Sequence, residues 1–246
     1  MKFEKELVEG TIMSRPNRFI MNVLVDGKVE VCHCPCTGRI ANVVFSEIPC
    51  LLSEGKTSKN RKTRYTVEAI SLSSSKGMRK KWIGINQTKA NSYVEYFLQS
   101  GQLSGIMGNK GKKLNIARER KIGESRIDFL IDSEILLEVK SPMVFLPLRD
   151  DYLTNRTVKF AKATKLYAID RFLKHMDELS KHRKAIILVF YMFEAERFVP
   201  SELEESDVGV ASKVRRTRDS GVEFWQVNTK FTPREIKLVN YYTLQV

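Results

Sequence analysis

No apolar run in this chain approaches the roughly 18 residues that a membrane-spanning helix requires. The opening residues, Met1-Lys2-Phe3-Glu4-Lys5-Glu6, lack the apolar core of a secretory signal. These two absences predict a soluble, cytoplasmic protein with no membrane partner. Cysteine is sparse: Cys32, Cys34, Cys36 and Cys50 are the only four in 246 residues. The first three alternate along an apparent strand, where i and i+2 neighbours are poorly placed for a disulfide. Their spacing also lacks the paired Cys-x-x-Cys knuckles of zinc sites. Reduced, buried thiols without zinc are therefore expected, with His33 on the outer face of that strand. Internal repeats and low-complexity linkers are missing too, so a domain boundary has to be read from a change of pattern.

What the chain has in excess is positive charge. Lys plus Arg number 42 against 29 Asp plus Glu, a net +13, the electrostatic footprint of a protein that meets phosphate backbones. About half of that charge lies in the first 85 residues, which read mostly as strands: Leu7–Met13, Arg18–Val25, Lys28–Cys34, a short run at Cys50–Ser53 and a clear one at Arg64–Leu72. Asp26-Gly27 supplies a tight hairpin turn. Short strands with close turns predict a small β-barrel over residues 1–85. Its two basic loops, one with Lys56, Lys59, Arg61, Lys62 and Arg64 and the other with Arg79, Lys80 and Lys81, are the expected nucleic-acid contacts, with Tyr65 as an exposed aromatic beside them.

From Trp82 the pattern becomes mixed. Ala90–Gln99 has helical spacing with Gly101 just beyond it, Thr164–Ser180 and Glu202–Arg216 are further helical stretches, and Lys184–Met192 is an apolar strand. Val222–Val227 is expected to be the final core strand. Residues 86–246 thus read as an α/β domain.

The chemistry is concentrated in one predicted hairpin. Arg126–Asp132 and Glu134–Lys140 are rich in Ile, Leu, Phe and Val around Asp132-Ser133-Glu134. Side chains alternate along a strand, so Glu138 and Lys140 share a face. A three-residue loop puts Asp128 directly opposite Glu138, close enough for both carboxylates to hold one Mg²⁺ (or Mn²⁺) with the Lys140 ammonium beside it. A carboxylate inside Ile-Leu-Leu-Glu-Val-Lys is costly to bury without a partner, which favours a functional centre over a solvated strand face.

Five blocks then carry a resemblance. His33-Cys34-Pro35-Cys36-Thr37-Gly38, Gly84-Ile85-Asn86-Gln87-Thr88 with Asn91 and Glu95, Ser125 to Leu130, Glu138-Val139-Lys140, and Arg171 to Leu179 follow the order of motifs in the sugar fermentation stimulation protein A family. The chain departs from that pattern at Cys36, where the family usually has Asn, at Ser141-Pro142, and at Tyr191, where a glutamine is common. The resemblance implies an N-terminal OB-like β-barrel, a C-terminal PD-(D/E)XK nuclease-like domain, and binding of DNA without strong sequence preference. It also implies that Glu95 extends the metal shell; the alternative is a solvent-facing helix residue. For His175, near Lys174 and Arg171, a surface helix that packs and solvates is preferred over contact with phosphate. Three functions stay open: metal-dependent cleavage of DNA, non-catalytic DNA binding, and RNA processing, since a basic barrel does not tell DNA from RNA.

Overall fold

The computed structural model describes residues 1–55, 62–73, 80–108, 113–144, 146–155, 157–160, 175–197 and 208–245. The first sheet holds β1 (Val8–Asn17), β2 (Ile20–Val25), β3 (Lys28–His33), β4 (Ile48–Glu54), β5 (Tyr65–Ile70) and β6 (Ile83–Gly84), ordered β3-β2-β1-β4-β5-β6. A parallel contact at His33 and Thr66 joins β3 to β5 and closes five strands into an OB-like barrel. Asp26 and Gly27 both take positive φ (47° and 77°), the twist-matched turn for a two-residue hairpin. Inside, Ile12, Met21, Val23, Cys32, Cys50 and Val67 have no exposed surface. All four cysteines are free and buried, as their spacing predicts.

One expectation fails here. Tyr65 is buried, at 6% exposure, with the Arg64 guanidinium 4.9 Å from its ring centroid. Every position of β5 is buried, so the strand is covered on its outward face as well as its inward one, and alternation leaves no exposed side for the ring.

The second sheet is ordered β12-β11-β10-β9-β8-β7, from β7 (Ile116–Ile122), β8 (Ser125–Ile131), β9 (Ile135–Lys140), β10 (Ala185–Tyr191), β11 (Glu223–Phe231) and β12 (Ile236–Thr243). Strands β9, β10 and β11 run parallel at its centre. Both faces are covered. On β10, Ile186, Leu188 and Phe190 pack with Phe97 of helix α1 (Ala90–Gln99), while Ala185 and Ile187 pack with Met176, Leu179 and Val214 on the other side. That is why β10 reads as an unbroken apolar run. The strand expected to be last is not: β12 follows β11, and with Lys237, Asn240 and Thr243 it lacks the apolar run of a core strand. Of the helix expected over Thr164–Ser180, residues 175–179 are described and helical; the Val208–Asp219 helix runs three residues past the expected Arg216 end.

The two halves share one core. Gly84 N–H donates to the Met192 carbonyl at 3.0 Å, and a Cβ on Gly84 would lie 2.5 Å from Met192 Cβ, so this close approach needs glycine. At the start of the chain, Phe3 N–H donates to the Arg234 carbonyl and Lys2 bridges Glu235, beside β12. Among the described residues no helix is long and apolar enough to cross a membrane.

Candidate metal centre

Strands β8 and β9 pair as Ile131↔Ile135, Leu130↔Leu136 and Phe129↔Leu137. The loop is the three residues expected, with Asp132 and Ser133 at φ 51° and 57°. Continuing that register sets Asp128 opposite Glu138. There the ladder opens. On the other side β7 pairs Arg118↔Phe129 and Arg120↔Ile127, passing over Asp128, and the facing residue, Glu119, has φ 50°. Side-chain alternation shifts at the same point, since Ile127 packs with Leu136 while Phe129 and Ile131 pack on the opposite face.

Carboxylates take over the vacated backbone partners. Val139 N–H donates to Asp128 Oδ2 at 2.8 Å, and Asp128 N–H points to Glu138 Oε2 at 3.4 Å. Asn91, in the first turn of α1, donates its amide to Asp128 Oδ1 at 2.8 Å. Lys140 Nζ donates to Glu138 Oε1 at 2.6 Å, and His175 Nδ1 reaches that same oxygen. Glu138 is 2% exposed, so these donors compensate a carboxylate that water cannot reach. Burial pushes the Asp128 carboxyl above its usual range, with the Glu138 charge adding to the rise and the Val139 and Asn91 hydrogen bonds and the Lys140 charge opposing it.

The structure therefore brings Asp128, Glu138 and Lys140 together at the carboxyl end of a central parallel strand, the usual ligand side of such sheets. Glu95 lies one turn beyond Asn91 on α1, with Arg118 of β7 at 3.3 Å from its carboxylate. His175 reverses its expected placement. It is 8% exposed and bonded to the centre rather than on a solvated surface, because the helix over 175–179 packs against the face of β9 that carries Leu136 and Glu138. The sequence signal that could have found it is its place in the fifth family-like block. Arg171 and Lys174 lie outside the described residues, as do Lys56, Lys59, Arg61 and Arg79. Of the other expected nucleic-acid contacts, Lys62 is exposed, Arg64 pairs with Glu54 at 3.0 Å, Lys80 with Glu9 and Lys81 with Asp151.

Whether the centre suits a cation can be judged from its donors. Two adjacent carboxylates, the Asp128 carboxyl held above its usual range partly by the Glu138 charge, form an oxygen donor pair whose mutual repulsion a hard cation would relieve. Among the described residues no cluster of three or more His, Cys, Asp or Glu is placed to hold a metal. Two carboxylates fit a hard divalent cation such as Mg²⁺, which is commonly held through one or two carboxylates and keeps several waters.

Comparison with known proteins decides the family. Residues 13–85 match the SfsA N-terminal OB domain and residues 88–235 match the sugar fermentation stimulation protein RE domain. The chain belongs to the sugar fermentation stimulation protein family. It is 30% identical to a sugar fermentation stimulation protein homolog of Teredinibacter turnerae, over 97% of each chain. It is 28% identical to a homolog of Clostridium perfringens strain 13, over 98% of this chain and 97% of the relative. Among solved structures, that of Pyrococcus furiosus SfsA in complex with Ca²⁺ aligns with a TM-score of 0.69 at 20% identity, covering 100% of this chain and 98% of that one. At that identity the likeness bears on fold, and it extends over both halves.

Proposed function

We propose that this protein binds DNA without strong sequence preference and hydrolyses phosphodiesters at Asp128, Glu138 and Lys140, with Mg²⁺ or Mn²⁺ held by the two carboxylates. The observation that carries this reading is the opened ladder at Asp128: two carboxylates face each other across a strand pair, and Glu138, buried at 2% exposure, also has the Lys140 ammonium 2.6 Å from its Oε1. The bound cation would supply positive charge against the phosphate oxygens and the attacking oxygen. Asp128 and Glu138 hold the cation's place, and Asn91 and the Val139 N–H fix the Asp128 carboxylate so that it need not reorganise. Lys140 stands where it can orient water or stabilise charge developing on phosphate. The domain matched at residues 88–235 and the Ca²⁺ in the Pyrococcus furiosus relative support the same reading. So does the net charge of +13, which favours a polyanionic partner.

One observation favours non-catalytic DNA binding instead. Glu138 is already paired with the Lys140 ammonium and bonded to His175 Nδ1, so its hydrogen-bond network is complete without a cation. Purified protein incubated with single-stranded DNA, duplex DNA and RNA, with and without Mg²⁺ or Mn²⁺, separates the two. Metal-dependent cleavage supports hydrolysis, and its site preference distinguishes DNA from RNA substrates. Salt-sensitive binding with no product under any condition supports the binding module.

A further inference from the structure

At one end of the barrel, the β1–β2 turn and the segment after β3 form a single loop cluster. Arg15 clamps it: Nη2 donates to the carbonyls of Cys36 at 2.6 Å, Gly38 at 3.0 Å and Arg18 at 3.3 Å. Cys34 N–H donates to the Phe19 carbonyl at 2.7 Å. The cluster is also tied to the second half of the chain. Ala41 N–H donates to the Met143 carbonyl, Val44 N–H to the Lys159 carbonyl, and Val43 bridges Phe160.

The link to the carboxylate centre is short. Gln87 accepts from the Cys36 thiol at 3.3 Å and donates to the Ser141 carbonyl at 2.5 Å, and Ser141 directly follows Lys140. A chain of direct contacts thus runs from the Phe19 turn through Cys34, Cys36, Gln87 and Ser141 to the lysine of the centre.

The outward chemistry of this cluster is basic and aromatic. Phe19 is 44% exposed, with the Arg18 guanidinium 4.7 Å from its ring centroid, and Arg39, next to the Gly38 carbonyl that Arg15 holds, is exposed. Phe160 is 45% exposed. Residues 14–19 and 34–45 contain three arginines and no acidic residue, so the two segments bring positive charge to this end of the barrel and no negative charge of their own. An exposed ring in a basic turn offers a π-face to an unstacked base, while a duplex, whose bases are already stacked, has no use for it.

We propose that this cluster is a track for single-stranded nucleic acid, with a base stacked on Phe19 and Arg18 and Arg39 on the flanking phosphates, leading the strand toward Asp128, Glu138 and Lys140. It rests on the nucleic-acid reading given above and adds to it a surface that would guide the strand.

The test is fluorescence anisotropy of the full chain with labelled oligo(dT) and oligo(U) of about 20 nucleotides and a duplex of the same length, longer than the roughly 4–16 nucleotides one such barrel covers. Thermal melts confirm that each variant is folded. Phe19→Ala is expected to weaken single-strand binding about tenfold or more, since one base–aromatic stack is typically worth about that or more. Phe19→Trp should restore it, with indole emission quenched as strand is added. Arg18→Glu with Arg39→Glu should flatten the salt dependence by about 0.7 in log K per log salt for each phosphate no longer neutralised. If Phe19→Ala binds oligo(dT) and oligo(U) within twofold of wild type, the track is wrong while the nucleic-acid reading stands. Equal losses on duplex and single strand overturn the single-strand assignment. Wild-type protein that binds none of the three probes overturns both readings.

Discussion

His175 Nδ1 lies against Oε1 of Glu138, the oxygen that Lys140 Nζ holds at 2.6 Å. Two donors converge on one oxygen of a buried carboxylate. Asp128 N–H is the donor to the other oxygen, and it stands at a long 3.4 Å. The carboxylate is therefore oriented from its Oε1 side, and in the metal reading proposed above Oε2 is the oxygen that would face the cation. Outer partners of this kind commonly change metal affinity by about 10–100-fold when removed. His175→Ala should weaken Mg²⁺ or Mn²⁺ binding by about tenfold in calorimetry, and His175→Gln, which can still donate, should recover part of it. Equal affinity in wild type and His175→Ala would show that the histidine only fills space.

Asp128 carries a second prediction, about pH. Its carboxyl is held above the usual range by burial and by the Glu138 charge. A carboxyl with a raised folded-state pKa resists ionisation in the folded chain. It therefore costs no stability below the unfolded value, and stability is lost as pH rises from there through the folded value. Asp128→Asn should consequently melt a few degrees higher than wild type at neutral pH in chelator, with the difference vanishing in acid. Scanning calorimetry across that range decides it; a lower Tm for the variant at neutral pH would mean that the charge is fully compensated.

Glu68, on β5, marks the junction of the two halves. It is 1% exposed and held by Asn86 at 2.8 Å, Lys89 at 2.7 Å and Ser53. Removing Lys89 strands a buried charge, so Lys89→Met should lose about 2 kcal/mol in urea unfolding, less than a fully buried pair because Lys89 is itself half exposed. Glu68→Gln in the Lys89→Met background should recover most of that loss. No recovery would place the effect of Lys89 in packing rather than charge.

The cysteines give the plainest expectation. All four are without exposed surface, and burial pushes Cys32 and Cys36 up to about 11. Thiolate is the reactive form. Native protein at pH 8 should therefore leave its thiols unmodified by a disulfide reagent for as long as it stays folded, and all four should react in urea. Rapid reaction of one native thiol would show that the barrel opens locally.

The hairpin that carries the centre was legible because its signal is local: two apolar runs, a three-residue loop and a period of two together set Asp128 opposite Glu138. The alternation and turns of the barrel, and the α1 boundaries, were legible for the same reason. His175 was not, since its meeting with Glu138 depends on how a helix from 37 residues later packs on β9. Tyr65 was misplaced because a period-two pattern says which faces exist but not whether a neighbouring half of the chain covers one. β12 was missed because an edge strand needs little apolar character. The Gln87 link from Cys36 to Ser141 spans three separate segments, and no local pattern encodes it.

The central claim is that Asp128 and Glu138 jointly hold a cation used for phosphodiester hydrolysis. The most direct measurement pairs Mn²⁺ or Mg²⁺ titration calorimetry with a cleavage assay on labelled single-stranded and duplex DNA, comparing wild type with Asp128→Asn, a change that keeps shape and removes charge. Wild type is predicted to bind one cation and cleave in its presence, while the Asp128→Asn chain loses both and still binds DNA. Cation affinity and cleavage unchanged in Asp128→Asn would contradict the account.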